Sequence, residues 1–230
     1  MDSAQLKRLA AEAAVKFVQS NMVVGLGTGS TAVYAVRAIS RRLQEGSLEN
    51  VLGIPTSEQT GAAARAGQIP LTTFDNHPRI DLTIDGADEI APNLDVIKGL
   101  GGALLREKIV AAASSRFIII ADQTKLVAQL GIRAPVPVEV IPFARRPVTD
   151  YLNGFATRVT IREKEGEIFR TDENNIILDC FFDGGIQDVP ALARALREQP
   201  GVVEHGLFIN RASDAIVATA DGIRHLQRTP

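Results

Sequence analysis

Apolar residues recur at helical spacing at the start of the chain. Leu6, Leu9, Ala13 and Phe17 fall on one face of Met1–Val18, which predicts an amphipathic helix. Asp2 and Glu12 interrupt that segment, so it lacks the unbroken apolar centre of a secretory leader. A short apolar run, Met22–Leu26, predicts a strand. Thr31–Leu43 returns to helical spacing through Val33, Val36, Ile39 and Leu43. Val51–Ile54 reads as a strand and Glu58–Ala66 as a helix. Ile80–Ile84 and Arg116–Ala121 are two more strands, with a helix from about Ala103 to Ala113 between them. Strands alternating with helices predict an α/β region with a mainly parallel sheet and helices on both faces.

The texture then changes. Pro135, Pro137, Pro142 and Pro147, four of eleven prolines, mark a crossing between structural units. Beyond them the pattern predicts a strand (Val136–Ile141), a helix (Ala144–Leu152), and two strands (Thr157–Arg162 and Ile176–Phe182). A helix (Val189–Glu198), with Asp188 as cap and Pro190 in its first turn, and a strand (Val202–Phe208) complete the series. The order β-α-β-β-α-β predicts a small ferredoxin-like α+β domain over 133–205. Residues 1–132 and 206–230 then form a Rossmann-like α/β domain, whose sheet Ala215–Thr219 could rejoin.

The 230 residues can bury a core without disulfides or metals. The single cysteine, Cys180, excludes a disulfide framework and a cysteine-rich zinc site, and reads as a small buried hydrophobe. With 25 Lys+Arg against 27 Asp+Glu the formal net charge is −2, which argues against a nucleic-acid partner held by bulk charge. No apolar run approaches the length of a membrane span. A cytoplasmic protein without a membrane partner is expected.

Ligands of open parallel sheets bind beyond the carboxyl ends of the strands, and three such places are unusual here. The segment Gly25-Leu26-Gly27-Thr28-Gly29-Ser30-Thr31 leads from a strand into a helix. Its glycines admit a close ligand, the helix N-terminus favours an anion, and Ser30 and Thr31 add hydroxyl donors. A phosphate cradle fits this segment, and so does a tight turn capped by Ser30. A Walker loop would need a lysine, and a dinucleotide fingerprint would need glycine at Ser30 and an acid near Pro55-Thr56-Ser57. In Asp85-Gly86-Ala87-Asp88-Glu89, crowded carboxylates suit proton relay. A solvated acidic turn and a Mg²⁺ site are the alternatives. The third segment, Lys98-Gly99-Leu100-Gly101-Gly102, opens a helix whose expected core face is Leu104, Leu105, Ile109 and Ala112. Glu107 lies in or near its first turn, off that face. It reads either as a capping glutamate or as a general base beside a loop whose amides, with Lys98, hold an oxyanion.

Together, Gly-Thr-Gly-Ser-Thr (27–31), Asp-Gly-Ala-Asp-Glu (85–89) and Lys-Gly-x-Gly-Gly-Ala-Leu-x-Arg-Glu-Lys (98–108) resemble the type A ribose-5-phosphate isomerase family. The resemblance spans essentially the whole chain. It implies interconversion of ribose 5-phosphate and ribulose 5-phosphate through an enediolate, in the non-oxidative pentose phosphate pathway. It implies Glu107 as the base between C2 and C1. Asp85 and Asp88 would contact sugar hydroxyls, with Gly86 and Ala87 between them at the substrate. Lys98, Gly99, Leu100 and Gly101 would hold the sugar oxygens. Thr28, Gly29, Ser30 and Thr31 would line the substrate site, and Lys7 and Lys125 would hold the phosphate. Leu100 stands where many members have glycine. The resemblance further implies no metal and no organic cofactor, a pentose phosphate as partner, and a homodimer or homotetramer with the small domain at the interface. A sugar-phosphate deaminase, a coenzyme A transferase and a non-catalytic sugar-phosphate sensor are the competing readings.

Overall fold

A computed structural model describes residues 1–228. Numbered along the chain, its strands of four or more residues are β1 (Val23–Leu26), β2 (Leu52–Pro55), β3 (Ile80–Gly86), β4 (Ser114–Asp122), β5 (Val136–Val140), β6 (Arg158–Ile161), β7 (Ile176–Phe181), β8 (Val202–His205), β9 (Asp214–Thr219) and β10 (Gly222–Gln227). The α-helices are α1 (Ser3–Val15), α2 (Ala32–Gln44), α3 (Glu58–Ala66), α4 (Leu104–Ala112), α5 (Arg145–Leu152) and α6 (Val189–Glu198).

The chain forms two compact units. The larger takes Met1–Ala87, Arg106–Lys125 and the chain from Asn210 on; the smaller takes Asp88–Leu105 and Leu126–Ile209. The smaller unit therefore begins well before residue 133. Its early segment contains two short strands, Glu89–Ile90 and Val96–Ile97, which pair with each other, and the second pairs with Leu207–Phe208. Two-residue strands carry no readable alternation, so the sequence hides this small sheet.

In the larger unit the strand order is β10-β9-β4-β3-β1-β2, parallel except for the β9–β10 pair. Strands with helices on both faces must be apolar on both sides. Val24, Leu26, Leu82, Ile84, Ile118 and Ile120 pack with Ala14, Val15, Ala35 and Ile39 of α1 and α2. Val23, Ile54 and Ile80 pack with Val110 of α4 in a second cluster. The tail does rejoin the sheet, with Ile216 of β9 beside Ile120 of β4. The edge strand β10 escapes sequence reading because nearly all its residues are exposed and its apolar positions show no alternation.

One expectation about α4 is corrected. Ile109 is 48% exposed, whereas Leu104, Glu107, Val110 and Ala111 are buried. A short apolar-rich helix offers several plausible faces, and packing chose the one that carries Glu107.

In the smaller unit β8-β5-β7-β6 form an antiparallel sheet, the order a ferredoxin-like β-α-β-β-α-β chain adopts. Val148 and Leu152 of α5 and Leu192 and Leu196 of α6 pack on one face, against Val136, Val138, Val140, Leu178 and Cys180. Asp188 caps α6 through the Ala191 N–H at 2.8 Å. Burial pushes the Cys180 thiol up to about 12, as suits a core residue. The predicted strand Val202–Phe208 breaks at Gly206. Among the described residues no helix is long and apolar enough to cross a membrane.

Two buried carboxyls respond to their surroundings in opposite directions. Asp214 receives Arg116 Nε at 2.9 Å and Nη2 at 2.8 Å, the Ser213 hydroxyl at 2.8 Å, and lies 2.6 Å from His225 Nε2. Burial alone would push this carboxyl up, but those hydrogen bonds and the Arg116 charge hold it well below the usual range. Glu139 is pushed up, mainly by burial and further by Glu173 and Glu204, although Asn175 and Thr171 donate to its Oε1. Among the described residues its Oε2 has no hydrogen-bond partner. A depressed acid stabilises the fold above its unfolded pKa of about 3.9 and loses that contribution as pH falls. A raised acid destabilises the fold once pH rises past its unfolded value of about 4.3. Asp214→Asn is therefore expected to cost about 2–3 kcal/mol at pH 7, with the deficit closing below about pH 4. Glu139→Gln is expected to raise the unfolding temperature at pH 8 and to leave it unchanged at pH 3. Thermal denaturation over a pH series checks both, and a pH-independent difference for either variant would contradict its assignment.

Candidate active site

In the larger unit β2, β1, β3 and β4 are successive parallel neighbours, so their carboxyl ends share one edge of the sheet. Asp85, the penultimate residue of β3, is completely buried. Its Oδ1 accepts the N–H groups of Thr28 at 3.0 Å and Gly86 at 2.7 Å. A Cβ at residue 27 would stand 2.3 Å from that oxygen, so glycine is required there for the β1 loop to reach the carboxylate. Gly86 and Ala87 follow as half-buried residues.

The Thr28 hydroxyl lies 2.7 Å from Thr56 Oγ1, 2.8 Å from Ser57 Oγ and 3.1 Å from Thr60 Oγ1. One donor and two acceptor sites are thereby occupied by protein. Thr28, expected at the substrate, ties the β1 loop to the end of β2 and to Asp85. Sequence reading passed over Thr56, Ser57 and Thr60 as a strand end lacking an acid; three hydroxyls within five residues were the available signal.

Ser30 was a candidate cap for α2, yet its Oγ accepts Lys7 Nζ of α1 at 3.0 Å. Thr31 occupies the N-cap position without a side-chain bond, and the first turn of α2 holds no acid. Within that turn the Val33 N–H donates to Gly29 O and the Tyr34 N–H to Thr31 O, both at 3.1 Å. A cavity of about 380 Å³ opens beside it, lined in part by Gly29, Ser30, Gln59 and Thr60. An ammonium and a hydroxyl beside the positive end of a helix suit an anion. A separate concavity of about 700 Å³ in the smaller unit is lined in part by Phe143, Arg145 and Arg146 and by none of the motif residues.

Lys125 ends the 3-10 turn after β4, on the same sheet edge. Asp122 shapes that turn by accepting the Thr124 N–H at 2.9 Å and the Thr124 hydroxyl. Helix α4 ends just before β4 starts at the amino edge, so its first turn points toward the carboxyl edge. Glu107 sits in that turn, 4% exposed. Arg106 Nη1 donates to Glu58 Oε1 at 2.8 Å, tying α4 to the start of α3. That hydrogen bond, then the Arg106 charge, holds Glu58 below the ordinary carboxylate range.

The smaller unit carries the other motif residues. Lys98 is 2% exposed; its N–H donates to Gly206 O at 2.9 Å and its Nζ lies 5.5 Å from the centre of the Phe208 ring. A Cβ on residue 206 would meet Lys98 O at 2.3 Å, which explains the break between β8 and Leu207–Phe208. Asp88 receives the Leu100 N–H at 3.0 Å, while its own N–H donates to Ile97 O at 2.8 Å. The Leu100 side chain is half-exposed, and Gly99 and Gly101 flank it. Glu89, the third acid of its motif, is engaged elsewhere. Its oxygens accept the N–H groups of Gly131 and Arg133 at 2.6 Å and Ala134 at 2.7 Å. Among the described residues no group of three His, Cys, Asp or Glu side chains is arranged to hold a metal ion. His77, His205 and His225 take no part in these motifs; His205 is buried, and His225 lies against Asp214.

These geometries agree with what the chain is similar to. Residues 52–222 match the family described as ribose 5-phosphate isomerase A (phosphoriboisomerase A). Ribose-5-phosphate isomerase A of Roseiflexus castenholzii is 51% identical over 228 residues, covering 99% of this chain and 97% of that protein. Its counterpart from Desulfatibacillum aliphaticivorans is 50% identical over 96% of each chain. Among solved structures, ribose 5-phosphate isomerase from Plasmodium falciparum matches with a TM-score of 0.96 and 44% identity over 99% of this chain and 100% of that one. A D-ribose-5-phosphate isomerase in complex with phospho-erythronic acid matches with a TM-score of 0.96 and 38% identity, over the same shares. A three-motif set in order, an α/β sheet with an anion-ready loop, and near-full-length identity of about half converge on one conclusion: the chain belongs to the ribose 5-phosphate isomerase A family.

Proposed function

We propose that this chain interconverts ribose 5-phosphate and ribulose 5-phosphate, with Glu107 as the base. The observation that carries the assignment is the placement of Glu107. It is a nearly buried carboxylate in the first turn of a helix, preceded in sequence by Lys98 and a glycine-rich loop.

The open-chain aldose presents an acidic hydrogen on C2. Glu107 takes that proton, the C–H electrons form the C1–C2 double bond, and the carbonyl pair moves onto O1. Lys98 and the loop amides stabilise the negative oxygen of the enediolate. Proton transfer from O2 to O1 and return of the proton from Glu107 to C1 give the ketose, and the reverse sequence gives the aldose. Asp85 and Asp88 assist ring opening and the oxygen proton transfers. A free carboxylate, with a pKa of about 4.3, is a weak base toward carbon. It works only where the departing charge is met at once by fixed donors. Lys7, Ser30, Thr31, Gly29 and Lys125 hold the phosphate, and Thr28 shapes their loop. The reaction as written asks for no metal or organic cofactor.

Support for a dimer or tetramer through the smaller unit comes from Phe143, which is 96% exposed there. A cytoplasmic setting is consistent with a phosphorylated sugar as substrate.

Glu107→Gln is expected to lower kcat by at least about 10²–10⁴-fold, while calorimetric binding of a four-carbon phospho-sugar acid persists. Parent-level turnover in that variant would remove Glu107 from the base role. Reaction of the parent in deuterated water is expected to place deuterium on the exchanged carbon, and ketose formed without label would contradict the enediolate route. Lys125→Ala and Thr31→Ala are expected mainly to raise KM, because a remote anchor binds ground and transition states alike. Initial rates over a range of ribose 5-phosphate decide this, and an unchanged KM in both variants would argue against the cradle. Dialysis against EDTA is expected to leave the rate unaltered; loss restored by Mg²⁺ would assign the ion to Asp85 and Asp88.

A further inference from the structure

Arg162, immediately after β6, is nearly buried and has a role beyond packing within its own sheet. Its Nε donates to Asp179 Oδ2 at 2.9 Å and its Nη2 donates to Asp179 Oδ1, a two-pronged pairing with a residue of β7. The remaining guanidinium nitrogen, Nη1, donates to Gly99 O at 2.8 Å and Leu100 O at 3.0 Å. Both acceptors are main-chain oxygens of the glycine-rich loop after Lys98.

In a trans peptide the C=O and N–H point in opposite directions. Holding Gly99 O therefore aims the Leu100 N–H away from Arg162, and that N–H meets Asp88 Oδ2 at 3.0 Å. Holding Leu100 O likewise aims the Gly101 N–H away from Arg162. The next amide, Gly102 N–H, turns back to Gly99 O at 3.0 Å. Of the three successive amides, two are directed to protein acceptors, and the orientation of the third is set by Arg162. Glycines at 99 and 101 offer little steric resistance to a peptide flip, so this orientation needs an external hold. The same region closes on the loop a second way. A Cβ on residue 102, whose φ is +85°, would lie 2.3 Å from the Phe169 ring, and Phe169 N–H donates to Arg162 O at 2.9 Å.

We propose that Arg162, oriented by Asp179, is a positioning residue that fixes the Gly99–Gly101 peptides so that the Gly101 N–H faces the developing enediolate oxygen. The inference rests on the isomerase reading of the loop. Arginine suits the task because its planar fork grips a carboxylate with one edge and leaves another nitrogen for carbonyls; lysine cannot do both.

Arg162→Ala, Arg162→Lys and Asp179→Asn would be compared with the parent for kcat, KM with ribose 5-phosphate, and unfolding temperature. Misplacement of a catalytic loop by an ångström costs about 10²-fold. Arg162→Ala is expected to lose about that much in kcat with KM little changed, and added methylguanidinium is expected to restore part of the loss. Rescue should be absent for the parent and for Glu107→Gln. Asp179→Asn, which keeps the shape but weakens the grip, is expected to lose kcat by a smaller factor. Should Arg162→Ala fail to fold, Arg162→Lys and Asp179→Asn carry the test through the same split between kcat and KM. Parent kcat in the folded variants, or a folded Arg162→Ala that methylguanidinium does not improve, would overturn the positioning role. A parent chain that does not interconvert the two sugars would overturn the isomerase reading and this inference with it. An active parent beside a fully active Arg162→Ala would overturn the inference alone.

Discussion

Main-chain N–H groups in loops must find acceptors, and in this protein carboxylates at the motif segments supply them. Asp85 takes two amides at the end of β3 in the larger unit. In the smaller unit Asp88 takes the Leu100 amide, and Glu89 takes three from the 131–134 stretch. A run that reads as crowded like charge is thus divided among separate sets of donors. Each carboxylate is compensated locally, which is how buried acids persist without unpaired charge. The three also acquire different duties. Glu89 is absorbed by structure, while Asp85 and Asp88 each support main chain at a motif loop of its own unit.

The same constraint shapes the loop after β1. Gly27 is small enough to let Asp85 accept the Thr28 amide, and the Thr28 hydroxyl then settles among Thr56, Ser57 and Thr60. With Thr28 turned inward, Gly29, Ser30 and Thr31 complete the loop, where Lys7 lies beside the Ser30 hydroxyl. An anion tether and a carbon-acid site make different physical demands. The tether needs positive charge and amides open to a ligand. The reacting end needs a carboxylate kept out of bulk water and donors whose direction does not vary. In the proposed reaction the β1 loop would meet the first demand, and the buried turn of α4 with the loop after Lys98 the second.

Periodicity revealed the α/β alternation, the proline-dense crossing and the β-α-β-β-α-β order, because long elements repeat their apolar spacing often enough to be read. The motif glycines, Lys98, Asp85, Asp88 and Glu107 were legible as residue types at unusual strand ends and at a helix start. Other features were out of reach. The two-residue strands near Glu89 and Val96 are too short for a pattern, and β10 is too polar for one. The burial of Glu107 ran against the apolar spacing of its own helix.

The chain by itself determined which elements form and where backbone donors and reactive side chains cluster, since propensity, spacing and turn chemistry act over a few residues. Tertiary structure alone decided which of those groups face one another. It assigned Glu89 to the 131–134 amides, turned Thr28 toward three hydroxyls, and brought Arg162 to Asp179 and to carbonyls some sixty residues earlier in the chain. Such pairings depend on packing between segments remote in sequence, and no local rule specifies them.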